Sequence, residues 1–136
     1  MKATELQIGD LIKIKGHLDY DKVQEIARDE NMQWYISFAC SATLFRAYEF
    51  EPVPLTPEIL EKNGFSFVKS SDKDTVWNGW WINKGLELAT ACLDKEGNWP
   101  CYINIYDSNI KCEYVHQLQH ALRLCGLDEL ADNFKV

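Results

Sequence analysis

Apolar and polar positions alternate through the first fifty residues in short runs that end at turn signals. "LQIGDLIKIKG" enters an apolar run through a Gly-Asp turn and stops at Gly16. In "MQWYISF" every second side chain from Met32 to Phe38 is apolar, which is the period of a half-buried strand. "KVQEIARDE" and "TLFRAYEFEPV" are two further strand candidates. These short strands predict a small curled antiparallel sheet or an SH3-like barrel.

The stretch "LTPEILEKNGF" has the composition of a short capped helix. Thr56 suits the N-cap, and Pro57 suits the first helical position because its missing N–H has no partner there. Gly64 is placed to end the helix in a left-handed conformation. We therefore predict a two-turn helix over residues 57–63, which must pack on something because it is too short to be stable alone.

The second half predicts an antiparallel meander of three or four strands that carries a final helix. After "FSFV", the strand candidates are "TVWNGWWI", "LELATACL", "CYINIY" and "IKCEY". "LELATACL" could be strand or helix, and we choose strand because "DKEGN" then makes a hairpin turn into "CYINIY". The predicted fold class is α+β with mostly antiparallel strands. We divide the chain into a small β subdomain, residues 1–53, and an α+β subdomain, residues 54–136, which could pack as a single domain.

The final helix, "YVHQLQHALRLCGL", is amphipathic. At 100° per residue one arc of the helix is apolar: Tyr114, Val115, Leu118, Ala121, Leu122 and Cys125. The opposite arc is polar: His116, Gln119, His120 and Arg123. We expect the leucines to face the core and both imidazole rings to lie in water.

Two histidines at i and i+4 can chelate a divalent ion from one helix face. "HQLQH" nevertheless lacks the glutamate of an H-E-x-x-H motif, and further ligands would have to come from elsewhere, Cys112 and Glu113 being nearest. No local signature supports a Cys–His pair. We therefore predict no metal, no cofactor and no catalytic residue, and a solvated polar face that is a candidate binding surface.

A second candidate binding surface is the tryptophan segment "WNGWWI". Trp77, Trp80 and Trp81 could form an aromatic platform for a sugar, a base or a peptide. The alternative is a core strand with a bend at Gly79, and it is favoured because small domains bury their large aromatic side chains.

Charge and composition narrow the class of protein. The 136 residues carry a net charge of −7, which opposes direct binding to nucleic acid. No signal peptide is recognisable, no apolar run approaches the roughly 18 residues of a membrane span, and the five cysteines form no C-x-x-C pair. We expect a cytoplasmic protein with reduced thiols.

Carboxylates are plentiful near the amino terminus, but no spacing pairs two of them for acid–base chemistry. We expect this acidic group to form a solvated surface: Glu5, Asp10, Asp19, Asp21, Asp29 and Glu30.

Three stretches together resemble a family of small uncharacterised proteins of gut Bacteroidetes: "ELQIGD", "PVPLTPEILEKNGF" and "YVHQLQHALRLCGLDEL". The resemblance covers about a third of the chain directly, and the order of the three stretches spans nearly all of it. It implies an association with phage or mobile-element genes, and it carries no activity, cofactor or catalytic residue to this sequence.

Three functional hypotheses follow. The leading one is a non-enzymatic module that binds a protein partner through the polar helix face or the tryptophan segment. The second is an acidic inhibitor that imitates phosphates on a nucleic-acid enzyme. The third is a metal-dependent or Cys–His hydrolase.

Overall fold

A computed structural model of the chain describes residues 1–39, 41–46, 49–69, 78–83, 87–92, 101–105 and 108–136. A short 3-10 helix, Ala3–Glu5, precedes the first strand. The N-terminal sheet contains β1 (Leu11–Ile14), β2 (Tyr20–Arg28), β3 (Trp34–Phe38), β4 (Ser41–Arg46) and β5 (Phe50–Pro52). The second half contains α1 (Pro57–Lys62), β6 (Ser66–Lys69), β7 (Asn78–Asn83), β8 (Glu87–Cys92), β9 (Cys101–Ile105), β10 (Ser108–Cys112), α2 (Val115–Leu124) and α3 (Asp128–Asp132).

The N-terminal sheet is antiparallel, with strand order β4-β3-β2-β1-β5. Ile26 pairs with Ile36 and Val23 with Phe38, so the apolar side chains of β2 and β3 fall in register. In the described part of the chain the outer strands β4 and β5 do not pair with each other, so the sheet stays open. The predicted antiparallel sheet is confirmed, and it is not closed into an SH3-like barrel.

Met32 departs from the predicted strand. It has a φ of 61°, lies in the turn between β2 and β3, and is 63% exposed. Asp29 holds this turn, because its Oδ1 accepts hydrogen bonds from the backbone N–H groups of Asn31 and Gln33. The alternation that predicted the strand is real only from Trp34 onward.

The second sheet is an antiparallel meander with strand order β10-β9-β8-β7-β6. It has five strands where the sequence predicted three or four, and the segment that could have been helix or strand, β8, is a strand. The predicted hairpin turn "DKEGN" lies outside the described residues. The overall architecture is α+β, as predicted.

Backbone contacts join residues 53–55 to the segment that leads into α2. Pro54 and Tyr114 form an isolated antiparallel bridge. On either side of it, Leu55 N–H donates to Glu113 O at 3.0 Å and Val115 N–H to Val53 O at 2.9 Å. The division at residue 53 stays a prediction, and one of these hydrogen bonds, Val115 N–H to Val53 O, crosses it.

The buried apolar side chains form two clusters. The smaller one lies under the N-terminal sheet: Ala3, Leu6, Ile12, Val23, Ile36, Phe38 and Phe50. The larger one gathers side chains of α1, α2, α3 and β7 together with Leu11 of β1 and Val53. β1 therefore contributes to both clusters, since Leu11 and Ile12 point to opposite faces of its sheet.

Candidate functional site: a buried polar cluster

The polar face of α2 packs against the turn that leads into β1. Five side chains meet there, and we call them the polar clasp: Asp10, His116, Gln119, His120 and Arg123. Two distant stretches of the sequence, "ELQIGD" and the terminal helix, meet at this point.

A tight turn places the Asp10 carboxylate. Gly9 has a φ of +89°, which a residue with a side chain rarely adopts, and its N–H donates to Val23 O at 2.7 Å. A Cβ on Gly9 would also lie 2.8 Å from Arg123 Nη2. Glycine is therefore required here both by the backbone conformation and by the close approach of the guanidinium group.

The Asp10 carboxylate is fully buried and has partners on both oxygens. His120 Nε2 lies 2.7 Å from Oδ2, which also accepts from Gln7 N–H at 2.8 Å. Arg123 Nη1 donates to Oδ1 at 2.8 Å. A buried carboxylate is costly unless it is paired and hydrogen-bonded, and this one is both.

Arg123 links the clasp to the end of the chain. Its Nη2 lies 3.1 Å from Asp132 Oδ1 at the end of α3, while Nη1 holds Asp10. Burial alone would lower the pKa of Arg123, but the hydrogen bonds to Asp10 and Asp132 raise it above its ordinary value. The guanidinium group therefore stays charged and ties α3 to the N-terminal turn.

Both the oxygen and the nitrogen of the Gln119 side-chain amide form hydrogen bonds within the protein. Oε1 accepts from Leu11 N–H at 2.9 Å, and Nε2 donates to Gly9 O at 3.1 Å and to Ala131 O at 2.8 Å. The side chain is fully buried, so it supplies partners to backbone groups that water does not reach. Gln119 is thereby a bridge between β1, α2 and α3.

His116 is the one member of the clasp that is enclosed without a full set of partners. Only 4% of the residue is exposed, and Nδ1 has no hydrogen-bond partner among the described residues. Its ring stacks on Tyr114 with 5.9 Å between centroids and meets His120 edge-on at 5.8 Å. Burial lowers the pKa of His116, against an opposing effect of the Asp10 carboxylate, and so favours the neutral ring.

The prediction that both imidazole rings lie in water is wrong. His116 and Gln119 are buried, and the side chains of His120 and Arg123 are only 23% and 15% exposed. The apolar arc is confirmed, since Val115, Leu118, Ala121 and Leu122 are all buried. The helix is covered on both faces, because the N-terminal turn lies across the face that the pattern assigned to solvent.

Asp10 was missed as a site residue, because it stood among carboxylates expected to be solvated. Most of that group is exposed or half-buried, but Asp10 is fully buried. The available signal was the pairing of one acidic turn with a basic face: His120 and Arg123 lie three residues apart on one side of α2. Asp132, the other carboxylate partner of Arg123, was not singled out in the sequence either.

The chemistry open to the clasp is limited. No group of three or more metal-ligating side chains occurs among the described residues. His120 directs Nε2 at a buried carboxylate, so that nitrogen does not face a substrate. Burial raises the pKa of Cys112 to about 12 and also raises the pKa of Cys125, so neither described thiol is a ready nucleophile.

The tryptophan segment is only partly described. Trp80 is 5% exposed, belongs to the larger core cluster and lies 5.3 Å from the ring of Phe67. This side chain is core, as the alternative interpretation expected, and it does not form an exposed platform. Trp77 and the side chain of Trp81 lie outside the described residues.

Surface grooves formed by the described residues lie away from these side chains. One, of about 490 Å³, lies between the ends of α1 and α2 and the last residues of the chain, with Lys62, Glu129 and Lys135 on its walls. Another, of about 400 Å³, lies beside β1 and is lined by His17 and Phe45 among others. Neither groove contains a member of the polar clasp.

Comparison with protein-family models, with curated proteins and with solved structures finds no match to this chain. In the part of the chain that the structure describes, no helix combines the length and apolar character needed to cross a membrane.

Proposed function

We propose that this protein is a non-enzymatic module that binds a protein partner. The observation that supports the proposal is that the side chains of the polar clasp form their hydrogen bonds and ion pairs with other groups inside the protein. The amide of Gln119 has three partners inside the protein, and Asp10 is paired with both His120 and Arg123. Side chains engaged in this way hold the fold together and are not free to bind or transform a substrate.

Large apolar side chains on the surface supply the second argument. Eight of them are exposed among the described residues: Ile8, Leu18, Tyr20, Met32, Leu44, Phe67, Ile110 and Leu124. Four lie between the end of β1 and the end of β4: Leu18, Tyr20, Met32 and Leu44. Partner-binding surfaces are enriched in such side chains, while single exposed ones are common on any protein, so the argument depends on where they lie.

The outer strand β4 is the proposed contact surface. It ends the strand order of the N-terminal sheet, and its Leu44 is 54% exposed. An edge strand can pair with an extended segment of a partner, whose side chains then meet the exposed ones of the edge. This replaces the two surfaces expected from the sequence, because the polar face of α2 is covered and Trp80 is buried.

The remaining attributes of the proposal come from the sequence. The net charge of −7 favours a partner with a basic surface over nucleic acid. A cytoplasmic location and an association with phage or mobile-element genes rest on the sequence and on the family resemblance. The acidic-inhibitor alternative rests on the net charge of the sequence alone.

Quantitative co-purification from the native host tests the proposal. The tagged protein should enrich a partner that Leu44→Lys loses at least about tenfold, the equivalent of 1.4 kcal/mol, because a charge on the edge strand opposes pairing. Leu124→Lys is the matched control: it places the same charge on a residue that is 78% exposed on α2, and it should keep the partner.

Thermal melting should show that both variants remain folded. The proposal would be contradicted if no protein were enriched above a tag-only control. Recovery of equal amounts of the partner by Leu44→Lys and by the unchanged protein would also contradict a partner on β4.

A further inference from the structure

The surroundings of His116 do not stabilise a positive charge on its ring. The residue is 4% exposed, its Nδ1 has no partner among the described residues, and aromatic rings cover it on two sides. A protonated imidazole donates from both nitrogens, so a proton on His116 would leave a charged donor buried without an acceptor.

The charged groups around His116 come from three parts of the chain. The Asp10 carboxylate and the Glu5 carboxylate favour a proton on the ring, while His120 and the α-amino group of Met1 oppose it. Asp10 is the largest favourable influence, but its oxygens are already engaged by His120 and Arg123. A charge on His116 would therefore compete for a carboxylate that two other side chains hold.

The direction of the pH effect follows from proton binding. In an opened or unfolded chain His116 has its ordinary pKa near 6.5, whereas burial lowers the pKa of His116 in the closed clasp. Below about pH 6.5 the open form takes up a proton that the closed form does not. The stability that the closed clasp gives is complete above that pH and decreases as the pH falls toward the lowered value.

We propose that the polar clasp is an acid-sensitive latch, in which protonation of His116 favours release of α2 from the turn that leads into β1. The latch joins residues more than a hundred positions apart, since Gln119 binds Leu11 N–H across 108 residues. Its release would expose the buried polar face of α2 and free Asp10. The inference does not depend on the proposed function, because it concerns only this intramolecular contact.

Urea unfolding between pH 7.5 and pH 5 tests the latch. The unfolding equilibrium constant of the unchanged protein should rise, relative to that of His116→Phe, by up to about tenfold for each pH unit below 6.5. The chain contains three histidines, and His17 is exposed, so His17→Gln is the matched control and should keep the full pH dependence. Equal pH dependence in the unchanged protein and in His116→Phe would overturn the proposal.

Hydrogen exchange separates local release from general unfolding. The Leu11 amide, which donates to Gln119 Oε1, should lose protection in acid before the Ile36 amide of β3 does. Simultaneous loss at both amides would contradict a latch. If His116→Phe fails to fold, an NMR titration of the unchanged protein decides: the His116 ring should titrate below the ordinary value near 6.5, and titration at or above that value would refute the inference.

Discussion

Helices α1 and α2 end in the same way but are held to the protein by different means. In both, a glycine follows the helix and the next residue bonds back: Phe65 N–H donates to Leu60 O at 3.1 Å, and Leu127 N–H to Leu122 O at 2.9 Å. These are Schellman motifs. α1 then buries the apolar side chains Ile59 and Leu60, whereas α2 buries apolar and polar side chains on opposite faces.

The difference lies in where the anchoring partners stand in the sequence. The start of α1 is capped by Thr56, whose Oγ1 accepts from Ile59 N–H three residues away. The polar face of α2 depends on Asp10 and Leu11, which lie 110 and 108 residues from their partners. Signals that act within a few residues can be read along the chain, and signals that require a distant segment cannot.

The largest expected effect tests whether the apolar face of α2 dominates its attachment. Leu118→Ala should lower the free energy of unfolding by about 2–5 kcal/mol, because it removes a fully packed side chain and leaves a cavity. Leu124→Ala on the same helix is the control and should change it by less than about 0.5 kcal/mol, since Leu124 is 78% exposed. Urea unfolding measures both, and similar losses would mean that the two sides of α2 are not distinct.

The elements that the sequence predicted well are those defined by local chemistry. The helix at residues 57–63 appears as α1, Pro57–Lys62, and Gly64 has the expected left-handed conformation with a φ of +83°. The alternation in "WYISF" is a strand whose last three residues are buried. In each case the geometry follows from neighbouring residues: a cap, a proline, a glycine or a period of two.

The candidate site could not be predicted in the same way. A helical wheel sorts side chains into arcs, but it does not say which arc another segment covers, and the polar arc of α2 was assigned to solvent for that reason. Asp10 looks like any surface carboxylate until the turn at Gly9 brings it to His120 and Arg123. The information is present only as a charge match between two segments at opposite ends of the chain.

An intermediate loss of stability is expected when the polar face of α2 loses its buried hydrogen bonds. Gln119→Met keeps most of the side-chain volume but removes the partners of Leu11 N–H, Gly9 O and Ala131 O, all of which the buried amide satisfies. We expect a loss of about 1–3 kcal/mol, the usual cost of leaving buried polar groups unpaired.

Gln24→Met is the matched exchange on an exposed position of β2 and should stay within about 0.5 kcal/mol of the unchanged protein. Chemical denaturation of the two variants decides the matter. A Gln119→Met protein as stable as the control would mean that the polar face contributes nothing and that α2, like α1, is held by its apolar side chains alone.

The smallest effect belongs to the local anchor of α1. Thr56→Ala removes the oxygen that accepts from Ile59 N–H at 3.4 Å, and it should cost about 1 kcal/mol, a typical value for an N-cap. The Thr56 side chain also affects the neighbouring Glu58 carboxylate. Hydrogen bonds with its own backbone and with Thr56 lower the pKa of Glu58. In the variant that pKa should move upward, which NMR titration can follow.

Thr4→Ala, at an exposed threonine of the 3-10 helix, should change the stability by less than about 0.5 kcal/mol. If Thr56→Ala costs as much as Gln119→Met, the distant contacts of α2 give no more stability than one local cap, and the contrast between the two helices is one of sequence distance alone.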